Sequence, residues 1–274
     1  MGDYPLFLSF ERDSMNQAAI SKIAQAIVSA RKNHLPADAS PFENLLQTTA
    51  EAYAVQNLVL KALETQEVSL AAAWKSGGPN RVSEQTHAKL LAGGVLQSGV
   101  NMAGWPLNIR IIEIEIALRL NRAVTPELAT AITHETSKQL IDAMTVSIEV
   151  VDSRWQQAGA TQALLKLADM QTHGALVLGD WIPYQSSDHS RDWSKQRCSV
   201  IIGDQPVAHF VGTHTLQDPT YVLPAWLKYA CAEGHTIPAG TIVTTGSWCG
   251  MPFAKKGDFI VAEFEGIGKT SVQL

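Results

Sequence analysis

Two glutamates set in a run of branched apolar residues are the first place in this chain where chemistry can be read. Residues 109–120 run IRIIEIEIALRL, nearly all Ile, Leu and Ala from Ile111 onward apart from Glu113, Glu115 and Arg119. The run is too β-branched and too short for a comfortable helix, and nothing in it breaks a strand. Side chains alternate faces along a strand, so Ile112, Ile114, Ile116 and Leu118 point one way and Glu113, Glu115, Ala117 and Arg119 the other. Neighbours on one strand face lie ~7 Å apart, a spacing at which two carboxylates can each give one oxygen to a shared cation. Hard oxygen ligands select Mg²⁺, Mn²⁺ or Ca²⁺ over zinc. The competing reading is an edge strand whose wet face carries solvated glutamates.

A third carboxylate strengthens the metal reading. In residues 145–151, TVSIEVV, Val146, Ile148 and Val150 alternate with Ser147, Glu149 and Val151, so Glu149 faces away from the apolar side of its own strand. Three carboxylates crowded together would force one to protonate, and a divalent cation removes that conflict. Mg²⁺ would keep its remaining octahedral positions for water or substrate. The competing partner for Glu149 is Arg154, as an ordinary ion pair.

The elements that must position these groups are those of a globular chain. With 274 residues, 46% hydrophobic and 17% charged, a sizeable core is feasible and disorder is not expected; one large domain, or a domain plus a helical appendage, is expected. A formal net charge of -5 argues against a nucleic-acid partner. Cys198, Cys231 and Cys249 show no metal or redox spacing, which suits a reducing compartment. The opening MGDYPLFLSFERDS lacks the pattern of a signal peptide, and no apolar run approaches the ~18 residues of a membrane span. The expected setting is cytoplasmic, with no membrane partner.

Along the chain, Ile20, Ile23, Ala24, Ile27 and Val28 form an amphipathic stripe with Ser14 as a candidate cap, and Thr48 with Glu51 has the capping-box spacing before a second helix. Residues 68–74 read as a strand delivering Lys75 into KSGGPN, where the glycines and proline end it. Residues 83–91 read as a short helix, with Glu84 and His87 at i, i+3. A helix starts at Thr125-Pro126-Glu127 and continues, with room for a break, to about Ala143, and strand-like pieces follow at 175–178, 198–202 and 207–211. Residues 221–233 read as a helix closed by Gly234, and from Thr241 the chain is strand after strand. The expected class is α+β: N-terminal helices over 1–68, then a β-rich catalytic domain over 69–274 built on a mixed, rolled sheet.

The pieces together resemble the fumarylacetoacetate hydrolase superfamily, in particular its branch of 2-oxopent-4-enoate hydratases and related 2-oxo-acid decarboxylases. AEAYAVQNLVL (50–60) looks like that branch's N-terminal helix, and WKSGG (74–78) like its Lys-x-Gly stretch. IEIEIALRL is similar to its Glu-x-Glu motif, and IEVVDSRW (148–155) to its third-ligand segment. LADMQTHGALVLG (167–179) resembles its Ala-Asp-Asn segment through Ala168 and Asp169, with Met170 where the branch has Asn, and VTTGSWCG (243–250) and FEGIGKTSV (264–272) look like its closing strands. The order and spacing of these pieces are specific for the superfamily and much less so for the reaction.

The resemblance implies Glu113, Glu115 and Glu149 as ligands of Mg²⁺ or Mn²⁺, Lys75 as the active-site lysine, and Asp169, Thr245 and Ser247 on the substrate. It implies a 2-oxo acid chelated by a Lewis-acidic metal that stabilises an enolate. Hydration of a 2-hydroxy-2,4-dienoate to a 4-hydroxy-2-oxo acid, as in aromatic catabolism, is the expected reaction. Decarboxylation or C–C hydrolysis on the same scaffold, or a non-catalytic 2-oxo-acid-binding subunit, are the alternatives. Relatives of this fold generally assemble, so a homo-oligomer is expected. The chain departs from the hydratase pattern in having no Pro-Asp-(aromatic)-Gly acid after the lysine, where only Glu84 is acidic. Lys166, three residues before Asp169, looks more like the hydrolase and oxaloacetate-decarboxylase branch, which also carries a Glu/His pair on a lid helix. Lys166, Glu84 and His87 are therefore further catalytic candidates.

Overall fold

The computed structural model describes residues 5–64 and 70–274, with side chains described for 16–64 and 72–274. In chain order the helices and strands are α1 (Pro5–Asn33), α2 (Thr49–Leu63), β1 (Leu70–Gly77), β2 (Thr86–Leu91), β3 (Val95–Gln97), β4 (Val100–Asn101) and β5 (Ile111–Leu120). There follow α3 (Pro126–Ala131), α4 (His134–Ser137), β6 (Ile141–Val151), α5 (Ala163–Ala168), β7 (His173–Leu178) and β8 (Ile182–Pro183). The remainder is β9 (Arg197–Ile202), β10 (Ala208–Val211), α6 (Leu223–Ala230), β11 (Ile242–Thr244), β12 (Phe259–Phe264) and β13 (Gly268–Gln273). This is the expected α+β class with a mixed, curled sheet. Among the described residues no helix is long and apolar enough to cross a membrane.

The chain divides into two compact units. One gathers α1 and α2 with Pro106–Ile109 and Asp152–Thr172. Its α1 buries Ile20, Ile23, Ala24 and Ile27 as the 3.6-residue stripe requires, and α2 opens with the Thr48–Glu51 capping box. The helix of α1 starts at Pro5, so Ser14 does not cap it; the side chain of Ser14 lies outside the described residues. In this unit Asp169 is fully buried, its Oδ1 accepting from Arg154 Nε at 2.6 Å and its Oδ2 from Arg154 N at 2.9 Å. Arg31 Nη2 also approaches Oδ1, at 3.5 Å.

The second unit, 69–105, 110–151 and 173–274, holds both sheets. The larger has the order β2-β1-β11-β5-β6-β7-β3, with β8 also paired to β6; the smaller runs β10-β9-β12-β13-β4. Parallel pairs (β1–β11, β3–β7, β4–β13) mix with antiparallel ones. At the centre of the larger sheet β5 and β6 pair antiparallel over almost their whole length, in a register that sets Glu113 opposite Glu149 and Glu115 opposite Ser147. Ile112, Ile114, Ile116, Leu118, Val146, Ile148 and Val150 line the other face, each no more than 1% exposed. β5 is thus buried on both faces and interior to its sheet, which removes the solvated-edge reading of its glutamates.

Three expectations are corrected here. Residues 83–91 form no helix; Thr86–Leu91 is β2, antiparallel to β1, with Ser76 opposite His87. The helical segment after Thr125 breaks into α3, α4 and a 3-10 turn ending at Leu140, and β6 begins at Ile141. Extension of that strand is favoured by burial of Ile141, Ala143 and Met144 and by a cross-strand ion pair, Arg119 Nε to Asp142 Oδ1 at 2.9 Å. The helix after Tyr221 is shorter than expected, Leu223–Ala230 between 3-10 turns, although Gly234 takes the left-handed φ of 85° expected of it. Residues 68 and 69 of the first expected strand lie outside the described residues.

Candidate metal centre

Period-two alternation puts Glu113, Glu115, Ser147 and Glu149 on one face of the β5–β6 pair, and the paired strands bring the acids together. One carboxylate oxygen from each of Glu113, Glu115 and Glu149 lies within 4.8 Å of the others. Glu149 is fully buried, Glu115 is 2% exposed and Glu113 is half-buried. Lys75 arrives from β1, separated from β5 by β11, and its Nζ donates to Glu149 Oε1 at 2.5 Å. Glu149 thus pairs with Lys75 and not with Arg154, which is committed to Asp169.

The electrostatics follow from burying three acids beside one ammonium. Burial, with the neighbouring carboxylates adding to it, raises Glu113 to about 8 and Glu115 to about 7, although Lys75 works against the shift. For Glu149 burial acts in the same direction, but Lys75 and His173 outweigh it and hold the carboxyl down at about 2. Burial also opposes the charge on Lys75, yet Glu149, Glu113 and Glu115 raise its pKa, so it stays an ammonium. The pair carries one full charge separation, and the other two acids share the unrelieved repulsion.

Two further observations fit this set to a hard divalent ion. The donors are all carboxylate oxygens, and Glu149 Oε2 is buried with no hydrogen-bond partner among the described residues. Each carboxylate must be deprotonated to coordinate, so affinity for Mg²⁺ or Mn²⁺ is expected to rise with pH toward about 8 and to level off above it. Protons should be released on binding, countable by calorimetric titration in buffers of different ionisation enthalpy. The sign for stability is opposite. With Glu113 and Glu115 raised, the ion-free fold holds more protons than the unfolded chain from the ordinary carboxylate range up to about 8, so its stability falls across that window. Affinity that is flat with pH, with no proton release, would contradict both.

The other expected site residues fall elsewhere. Ser76 and His87 share the face of β1–β2 opposite Lys75; His87 Nδ1 meets Ser76 Oγ at 2.9 Å and its ring lies 5.1 Å from Tyr229 of α6. Burial pushes His87 down to about 4, so it is neutral. Glu84 is exposed and precedes β2, so no Glu84/His87 pair forms on a lid helix. Lys166 Nζ donates to the Gly159 carbonyl at 3.3 Å, and Lys166 and Asp169 both belong to the helical unit. Thr245 is fully buried with its hydroxyl donating to the Ile116 carbonyl at 2.7 Å. Ser247 Oγ donates to Gly250 O at 2.6 Å and accepts from Cys249 N, which is turn chemistry.

Four residues that sequence reasoning did not nominate stand against the acids. Thr244 Oγ1 and Gly246 N, the latter at 2.9 Å, both donate to Glu115 Oε2. Ser147 Oγ lies 3.2 Å from Thr244 Oγ1, and His173 Nδ1 lies 3.1 Å from Glu149 Oε1. The signal for Thr244 was parity: it is paired with Ala117, on the face of Glu115, while Thr245 one residue on must point the other way. Ser147 shares the alternation of Glu149. Nothing local marks His173.

Comparison with known proteins agrees with this architecture. A family model described as fumarylacetoacetate (FAA) hydrolase C-terminal matches residues 97–274. No curated protein matches the chain. Among solved structures, 4-oxalocrotonate decarboxylase from Pseudomonas putida G7, complexed with calcium and acetate, is 19% identical with a TM-score of 0.74, covering 94% of this chain and 97% of that one. The same enzyme complexed with magnesium and adipate is 18% identical at the same TM-score and coverage. The 2-hydroxyhepta-2,4-diene-1,7-dioate isomerase from Mycobacterium marinum is 16% identical with a TM-score of 0.51, covering 73% of each chain. At these identities the likeness is one of fold.

Proposed function

Because the chain belongs to the fumarylacetoacetate hydrolase family, we propose that its glutamate centre is that of a metal-dependent lyase acting on a small unsaturated 2-oxo acid of the kind formed in aromatic-compound breakdown. What carries the reading is one constellation: three carboxylates within 4.8 Å on the central strands, with a buried ammonium 2.5 Å from one of them. A bound Mg²⁺ or Mn²⁺, held by Glu113, Glu115 and Glu149, supplies Lewis acidity toward the oxygens of a 2-oxo acid.

The chain's own residues do the rest. Lys75 presents a fixed positive charge on the face of the acids, where negative charge develops as a bond to carbon breaks. With its pKa raised it acts by charge and position rather than as a base. Burial of Glu115 and Glu149 limits access of water to their side of the centre. Hydration of a 2-hydroxy-2,4-dienoate needs a water activated and a proton set on a distant carbon. Decarboxylation needs only one proton returned. The hydratase branch's Pro-Asp-(aromatic)-Gly acid is missing after Lys75, and the Glu84/His87 pair that resembles the hydrolase and oxaloacetate-decarboxylase branch does not form either, since His87 faces α6 and Glu84 faces solvent. With neither acid in place, decarboxylation, which needs the fewest proton transfers, is favoured over hydration and C–C hydrolysis. The reading carries with it a homo-oligomer in the cytoplasm; three free, buried cysteines suit a reducing compartment.

The test is turnover by the Mg²⁺-loaded protein of 2-hydroxy-2,4-dienoates and of unsaturated 2-oxo diacids, following ultraviolet absorbance and evolved CO₂ together. Gas released in step with substrate loss is the expected result. Loss of absorbance without gas identifies hydration. Silence across a panel of 2-oxo acids overturns the lyase reading and leaves a binding subunit.

A further inference from the structure

The two deepest acids of the centre each have one oxygen already engaged. Glu115 Oε2 accepts from Thr244 Oγ1 and from Gly246 N at 2.9 Å. A carboxylate can only accept, so the single hydroxyl proton of Thr244 goes to Glu115, and Ser147 Oγ, 3.2 Å away, must donate to Thr244. The result is a directed chain, Ser147 to Thr244 to Glu115. Glu149 Oε1 is likewise taken, by Lys75 Nζ at 2.5 Å and by His173 Nδ1 at 3.1 Å, while its Oε2 is buried without a partner among the described residues. Glu113 makes no hydrogen bond among the described residues.

We propose that this tying of single oxygens sets the choice of ion: Thr244, backed by Ser147, restricts Glu115 to one donor oxygen and so selects a small octahedral dication over Ca²⁺. The inference rests on the reading of Glu113, Glu115 and Glu149 as ligands. Glu115 and Glu149 then offer one oxygen each and Glu113 at most two, no more than four from the acids. Mg²⁺ takes six ligands at ~2.0–2.1 Å and tolerates few from the protein. Ca²⁺ takes six to eight at ~2.3–2.6 Å and gains by gripping both oxygens of a carboxylate. To grip Glu115 that way it must strip Thr244 and Gly246 from Oε2; Thr244 can then turn its proton only to Ser147 Oγ, which leaves the Gly246 N–H and the Ser147 hydroxyl proton without an acceptor among the described residues. Thr244 is 1% exposed and Ser147 fully buried, so water cannot replace the lost bond.

The experiment is calorimetric titration of Mg²⁺, Mn²⁺ and Ca²⁺ into wild type, Thr244→Val and Ser147→Ala, with Mn²⁺ followed also by paramagnetic resonance. Valine keeps the branched shape on β11 and removes the donor. Wild type should bind Mg²⁺ and Mn²⁺ more tightly than Ca²⁺. In Thr244→Val that preference should narrow by roughly tenfold, mostly through tighter Ca²⁺ binding. Ser147→Ala should move it in the same direction by less, and it carries the test if the valine variant does not fold. A Ca²⁺/Mg²⁺ ratio unmoved in the folded variants, or a wild type that prefers Ca²⁺, overturns the inference alone. A wild type that binds none of the three ions overturns the metal centre itself.

Discussion

Glu115→Gln is expected to weaken Mn²⁺ and Mg²⁺ binding by at least ~10²-fold while the fold survives, since loss of an outer-shell partner alone typically costs 10–100-fold. Thr244 Oγ1 and Gly246 N both need an acceptor where Oε2 now stands, so the glutamine must turn its amide oxygen toward them. Its NH₂ then occupies the place of the oxygen left for an ion, and an amide nitrogen does not ligate a hard cation. The backbone has no reason to move. In the ion-free protein the substitution relieves strain, because burial and Glu149 already push the Glu115 carboxyl up to about 7. With chelator present at about pH 8, the variant should melt no lower than wild type. Adding Mg²⁺ should raise the melting temperature of wild type only. A variant that holds Mn²⁺ as tightly as wild type refutes the assignment.

Lys75→Met should have the opposite profile, costing stability and catalysis but not the ion. Breaking a buried pair by removing one partner costs on the order of 3–5 kcal/mol, because the remaining charge is left uncompensated. Glu149 is fully buried and Lys75 only 9% exposed, so the interaction is little screened. In wild type the depressed Glu149 contributes stability that is present above the ordinary carboxylate value and lost as pH falls toward about 2. Without the ammonium that carboxyl rises, and the ion-free variant should lose stability as pH climbs and Glu149 is forced to ionise with only His173 beside it. Mg²⁺ should recover much of the loss and bind at least as tightly as in wild type, since a competing positive charge has gone. Turnover should vanish. Denaturant unfolding with chelator and with Mg²⁺ measures the difference; equal stability in chelator would contradict the role of the pair.

What the chain spelled out locally was the centre of the larger sheet. Ile112, Ile114 and Ile116 alternating with Glu113 and Glu115 leave only one way to place the acids if the strand is buried, and Glu149 obeys the same rule on β6. What it hid was register between distant strands. Thr245 drew notice where Thr244 was the residue facing Glu115, a one-residue slip that reverses every side chain on β11. His87, Leu90 and Leu91 have helical spacing, yet pairing with β1 makes them a strand and turns His87 from the acids to α6. Asp169 sits in a segment that resembles a substrate-binding one, but its oxygens are occupied by Arg154 and approached by Arg31, which lies 138 residues earlier in sequence. No local pattern encodes that.

β11 lies between β1 and β5, with Ala73–Lys75 beside Ile242–Thr244 and these beside Ala117–Arg119. During synthesis the acids and the lysine therefore emerge long before the short strand that separates them in the finished sheet. Until it inserts, β1 has no neighbour on that side, Glu115 has no clamp, and Lys75 has no fixed distance to Glu149. Pairings of such long sequence separation form slowly and leave open strand edges meanwhile. A ribosome-bound chain stalled short of residue 242 carries all three glutamates, yet the facing edges of β1 and β5 stay unpaired until β11 has cleared the exit tunnel.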